Sequence, residues 1–150
     1  METLSKIYLS WFGVGFIRKA PGTWGSLAAL PLCFWMASFS ITIKIIFITV
    51  LTLIAIVSAQ HYQTRHQLHD PQWIVIDEVL GMLICTICLP QQLNYFWLIA
   101  FILFRIFDII KIWPASWFDR LHHGAGTILD DVISAFYALS LLLVIEKFLA

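Results

Sequence analysis

Nine acidic side chains are spread over this 150-residue chain, and the ones that stand out are paired. Asp77-Glu78 and Asp130-Asp131 are adjacent acids set in apolar runs, and Asp108 stands between Arg105 and Lys111. Carboxylates in such surroundings are costly to bury without a counter-charge, so they call for a cation. The plain alternative for the first pair is a structural ion pair with Arg105 or Lys111. Arg105, Asp108 and Lys111 recur every three residues, so on a helix either cation can hold Asp108 and still reach an anion. A self-neutralised polar stripe is the competing reading.

Thr127 and Asp130 have capping-box spacing, which gives Asp130 a helix-terminal job and leaves Asp131 the freer carboxylate. Successive helical residues differ by about 100°, so the two members of a pair are not expected to face one ion equally. As candidate catalytic residues the sequence offers Asp77, Glu78, Asp108, Asp130 and Asp131. The donors are oxygens without thiolate or imidazole, a set that suits Mg²⁺ shared with a substrate phosphate better than Zn²⁺. Asp77, Glu78, Asp108 and Asp131 are the expected metal ligands.

An anion side accompanies the acids. The run Ala20-Pro21-Gly22-Thr23-Trp24-Gly25-Ser26 leads into an apolar helix, so Gly22, Thr23, Gly25 and Ser26 can cradle a phosphate at a helix N-terminus, with Arg105 and Lys111 adding charge. An ordinary turn with Ser26 as N-cap is the alternative. His61, His66, His122 and His123 read as surface loop residues, and His69, beside Asp70, is kept as a possible general acid or base. Cys33, Cys85 and Cys88 lie in apolar stretches and read as packing residues, not a disulfide framework.

The elements that must position these groups are membrane helices. The chain is 61% apolar and 12% charged, with a mean hydropathy of +0.88, too apolar for a soluble domain of this size to bury. Apolar segments cover residues 26–39, 41–59, 74–89, 96–113 and 128–149. This predicts an all-α polytopic bundle with four to five membrane helices in one domain spanning 1–150. The first segment carries Pro31 and is expected to be kinked or partial. Asp70-Pro71 predicts the start of the third helix, and Thr127 that of the last. No cleaved signal peptide is expected at the N-terminus.

With the N-terminus in the cytoplasm and five spans, Lys6, Arg18, Lys19, Arg65, Lys111 and Arg120 fall near the inner face, as the positive-inside bias expects. Lys44 and Lys147 are exceptions placed to snorkel at outer helix ends. The stretches 13–25, 60–78 and 105–131, which hold most of the ionisable residues, then share the inner face. Zero formal net charge argues against nucleic acid.

Four ordered motifs resemble the phosphatidylglycerophosphatase A family. They are Gly13-Val14-Gly15 with the run from Ala20 to Pro31, the run from Ile74 to Gly81, the run from Phe104 to Pro114, and the run from Gly124 to Asp131. The resemblance implies a multi-pass bacterial inner-membrane enzyme with its site on the cytoplasmic side. It implies a phosphoric monoester hydrolase of phospholipid biosynthesis that converts phosphatidylglycerophosphate to phosphatidylglycerol with Mg²⁺. It also suggests Asp77, Glu78, Arg105, Asp108, Lys111, Asp130 and Asp131 as functional, with the Pro21-Gly22-Thr23 stretch as a companion loop. One departure stands out: the family's Lys-Pro-Trp-Pro is Lys111-Ile112-Trp113-Pro114 here, so the preceding helix is expected to run slightly further. Motifs of vanadium-haloperoxidase-like lipid phosphatases and of CDP-alcohol phosphotransferases are missing. A non-enzyme rival, a small carrier or structural subunit, predicts charges spread through the depth of the bilayer.

Overall fold

The computed structural model describes residues 2–68, 71–92, 95–121 and 123–149. Every regular element among them is a helix: α1 Glu2–Leu9, a 3₁₀ turn Val14–Phe16, α2 Pro21–Met36, α3 Ile41–His66, α4 Ile76–Cys85, α5 Tyr95–Ile110, α6 Ala115–Asp119 and α7 Gly124–Leu149.

Two helices, α3 and α7, are long and apolar enough to cross a membrane. At 26 residues each they extend about 39 Å. Ser40 opens α3 by accepting the Ile43 N–H on its hydroxyl (3.5 Å). The expected four to five crossings are not all helices of that kind. α2 and α5 have 16 residues, and α4 has only ten. α2 is one continuous helix through Pro31, with Pro21 in its first turn, where a missing N–H costs nothing.

α4 is the centre of the bundle. It packs against α2, α3, α5 and α7, and nine of its ten residues are buried. Its apolar run is continuous because protein surrounds it, not because lipid does.

Several sequence expectations are corrected. Asp70-Pro71 does not start α4: Asp70 lies outside the described residues, and the helix begins at Ile76. The Val75 N–H is taken by the Leu9 carbonyl (2.9 Å), which ties the segment to the end of α1 in a non-helical conformation. Asp77 and Glu78 therefore occupy the first turn of α4, not a position two turns in. At the end of α5, the missing proline does not extend the helix. Lys111 adopts a left-handed φ of 48° while its N–H still bonds the Phe107 carbonyl (2.9 Å), which ends the helix there. Lys44 does not snorkel: it is buried and donates to the Ile87 carbonyl (2.9 Å) just beyond α4.

Candidate active site

The N-termini of α2, α4 and α7 and the C-terminus of α5 meet at one end of the bundle. Between them lies a cavity of about 410 Å³ whose walls include Gly22, Asp77, Glu78, Arg105, Asp108, Lys111, Asp130 and Asp131. Antiparallel neighbours connected by short turns bring these termini together from four parts of the sequence.

Asp77, Glu78 and Asp131 form the acidic focus. One carboxylate oxygen from each lies within 4.8 Å of the others. Asp77 and Asp131 are buried, and the Glu78 N–H donates to Asp77 Oδ1 (3.0 Å), which orients that carboxylate. Gly22 makes room for the cluster, because a Cβ there would collide with Glu78 Oε1.

Asp108, expected among the metal ligands, lies against Asp131 but is not one of the three residues whose oxygens converge here. Its Oδ2 is held by Arg105 Nη1 at 2.6 Å, and the same Nη1 stands 3.9 Å from Glu78 Oε1. Ser26 supports Arg105 by accepting from Nη1 (3.5 Å) while donating to the Gly22 carbonyl (2.9 Å).

Asp130 is no cap. α7 begins at Gly124, so Thr127 is already inside it, and its Oγ1 accepts from Gln63 Nε2 (2.8 Å) instead. The helix start is served by His123, whose ring Nδ1 and carbonyl both accept the Gly126 N–H. Asp130 Oδ2 instead accepts from Lys111 Nζ (2.6 Å), and the other carboxylate on that ammonium is Asp119. Burial works against the Lys111 charge, but Asp130, Asp119 and Asp131 outweigh it and hold the ammonium above the usual lysine range.

The glycine-rich cradle is smaller than expected. Of its four residues only Gly22 lines the cavity. Gly25 faces Val75, where an added Cβ would come within 2.8 Å of the valine Cβ, so it serves helix packing. Ser26 acts through Arg105, and Thr23 is off the cavity wall. Among the histidines, His61, His66 and His123 are exposed and off the cavity wall, and His69 and His122 lie outside the described residues. Asp119 was missed by sequence reasoning. Its eight-residue separation from Lys111 runs through the turn at Trp113-Pro114 and matches no helical period.

Three site atoms, Glu78 Oε2, Arg105 Nε and Asp130 Oδ1, are buried without a hydrogen-bond partner among the described residues. An orphaned buried polar atom costs about 1–3 kcal/mol, which folded proteins tolerate where a ligand completes the set. Five carboxylates face three cations around the cavity, Arg18, Arg105 and Lys111. The surplus of negative charge and the oxygen-only donors fit a hard divalent cation at Asp77, Glu78 and Asp131.

Comparison with known proteins finds a matching sequence profile and relatives under two names. A Bacteroides thetaiotaomicron protein that is 31% identical over 141 residues, covering 89% of this chain and 87% of that protein, is named Putative phosphatidylinositol-3-phosphatase. The sequence profile described as Phosphatidylglycerophosphatase A matches residues 7–146. A Haemophilus influenzae protein named Phosphatidylglycerophosphatase A is 38% identical over 138 residues, covering 90% of this chain and 84% of that protein. An Escherichia coli protein of the same name is 39% identical over 127 residues, covering 82% of this chain and 72% of that one. No solved structure matches.

Proposed function

The chain belongs to the phosphatidylglycerophosphatase A family, and from that premise we propose that it hydrolyses phosphatidylglycerophosphate to phosphatidylglycerol and inorganic phosphate. The observation that carries the reading onto this chain's own residues is the convergence of Asp77, Glu78 and Asp131 beside Arg105, at the open end of a lipid-facing bundle.

In this reading Asp77, Glu78 and Asp131 hold Mg²⁺. When bound, the ion supplies charge neutralisation to the phosphoryl group. Arg105, steadied by Asp108 and Ser26, and Lys111, clamped by Asp119 and Asp130, bind the phosphoryl oxygens and stabilise the charge that develops on them. Asp130 keeps Oδ2 on Lys111 and has Oδ1 left to accept a proton from the attacking water. As the water oxygen joins phosphorus, the bond from phosphorus to the glycerol oxygen breaks, the glycerol oxygen leaves as the alcohol by taking up a proton from solvent, and Asp130 returns its proton to solvent.

The membrane arrangement we propose has five traversals: α2, α3, α5 and α7 as lipid-facing crossings, and the shorter α4, enclosed by them, as the one that carries the chain away from the site end between α3 and α5. The 16 residues of α2 and α5 extend about 24 Å, close to the hydrocarbon thickness once flanking turns are added. Arg18, Lys19, Arg65, Lys111 and Arg120 at the site end support a bacterial inner membrane with the site on the cytoplasmic side.

Purified protein in detergent, supplied with phosphatidylglycerophosphate, tests this. We expect phosphate and phosphatidylglycerol in equal amounts, loss of turnover on chelation, and recovery with Mg²⁺ or Mn²⁺. Absence of phosphate release under all metal conditions would overturn the proposal.

A further inference from the structure

The acidic cavity has a neighbour. Arg18, Pro21 and Gln72 also border a second cavity of about 500 Å³, so the two lie side by side with Arg18 on the wall of both. The far wall of this second space is apolar, built partly by Phe16, Leu68 and Trp73. Phe16 and Trp73 stack with ring centroids 5.5 Å apart, and Phe16 remains 57% exposed. An aromatic pair at the rim of a membrane bundle suits the boundary where a lipid headgroup gives way to acyl chains.

The cations differ in a way that assigns them. Arg105 is engaged by Asp108, and Lys111 by Asp119 and Asp130. Arg18 is exposed and makes no ion pair among the described residues, although it lines both cavities. A guanidinium that no carboxylate of the described residues occupies, placed between an acidic hydrolytic site and an apolar vestibule, is available for a second anionic group of the substrate.

We infer that Arg18 is a specificity-determining residue that binds the phosphodiester of the lipid substrate while the terminal phosphate lies in the acidic cavity and the diacylglycerol end leaves over Phe16 and Trp73. The inference rests on the proposed function, since it needs a substrate in which a glycerol separates a monoester phosphate from a phosphodiester. The site thereby selects phospholipids carrying both groups over those with a terminal phosphate alone.

The two reaction products divide the substrate into the halves that this inference separates. Inorganic phosphate reports the acidic cavity, and phosphatidylglycerol reports the phosphodiester position. Wild type, Arg18→Gln and Arg18→Lys are compared in mixed micelles for KM, kcat and inhibition by each product. Losing one charge-assisted contact predicts a KM roughly tenfold higher for Arg18→Gln, with kcat within about twofold. Inhibition by phosphatidylglycerol should weaken in parallel, inhibition by phosphate should hold, and Arg18→Lys should fall between. A KM for Arg18→Gln within twofold of wild type, or an equal loss of inhibition by both products, would overturn the inference. A wild type that fails to hydrolyse phosphatidylglycerophosphate overturns the proposed function instead. Arg18 is an exposed loop residue, so the thermal transition of each variant in detergent should match wild type and separate a binding loss from misfolding.

Discussion

Asp77-Glu78 opens a ten-residue helix at the centre of the bundle, whereas Asp130-Asp131 lies in the second turn of a 26-residue helix already under way. The first pair stays together: its backbone and side chains interlock, and both members reach the acidic focus. The second pair divides, with Asp131 entering the focus and Asp130 turning to Lys111. In the first turn of α4 the Asp77 carboxylate folds back onto the Glu78 N–H, which has no intrahelical acceptor, and this draws the two acids toward one point. Inside α7 the Lys111 ammonium holds the Asp130 carboxylate, and the 100° step between neighbours sends the two acids to different partners.

That contrast can be broken at either pair. The largest effect is expected from Asp131→Asn, which removes one of three converging carboxylates. Turnover should fall by about a thousandfold or more, measured as phosphate release per folded protein, with the bundle still assembling. Asp130→Asn should cost less, on the order of a hundredfold in kcat, because it removes a proton acceptor and loosens Lys111 but leaves the focus intact. Equal losses at both positions would erase the distinction between the two members. The smallest of the three is expected from Gly22→Ala, whose Cβ displaces the carboxylate end of Glu78 and crowds Arg105 Nη1. Its kcat should drop roughly tenfold with little change in thermal stability, since a small misplacement of a positioned group is enough to slow chemistry.

Much of this was legible in the sequence, and the limits are physical. The acids could be found because carboxylates in apolar runs are conspicuous, and the helical class followed from hydropathy alone. The start of α4 was hidden because the Leu9 carbonyl, more than sixty residues upstream, decides it by taking the Val75 N–H. The role of Asp130 was misassigned for a related reason: a local capping pattern was present, but Gln63 claims Thr127 from another helix. The Asp119 contact depends on how the 111–115 turn folds back, which no periodicity encodes. The length of α4 was misjudged because a helix buried in protein and one buried in lipid carry the same apolar pattern.

Direct binding of Mn²⁺ as a spectroscopic stand-in for Mg²⁺ tests the central claim, that Asp77, Glu78 and Asp131 form one cation site, without relying on turnover. Paramagnetic resonance titration of the purified protein should show a saturable class of bound Mn²⁺. That class should be lost or greatly weakened in Asp77→Asn and Asp131→Asn and retained in Asp130→Asn. Undiminished Mn²⁺ binding by Asp131→Asn, in protein that remains folded, would contradict the account.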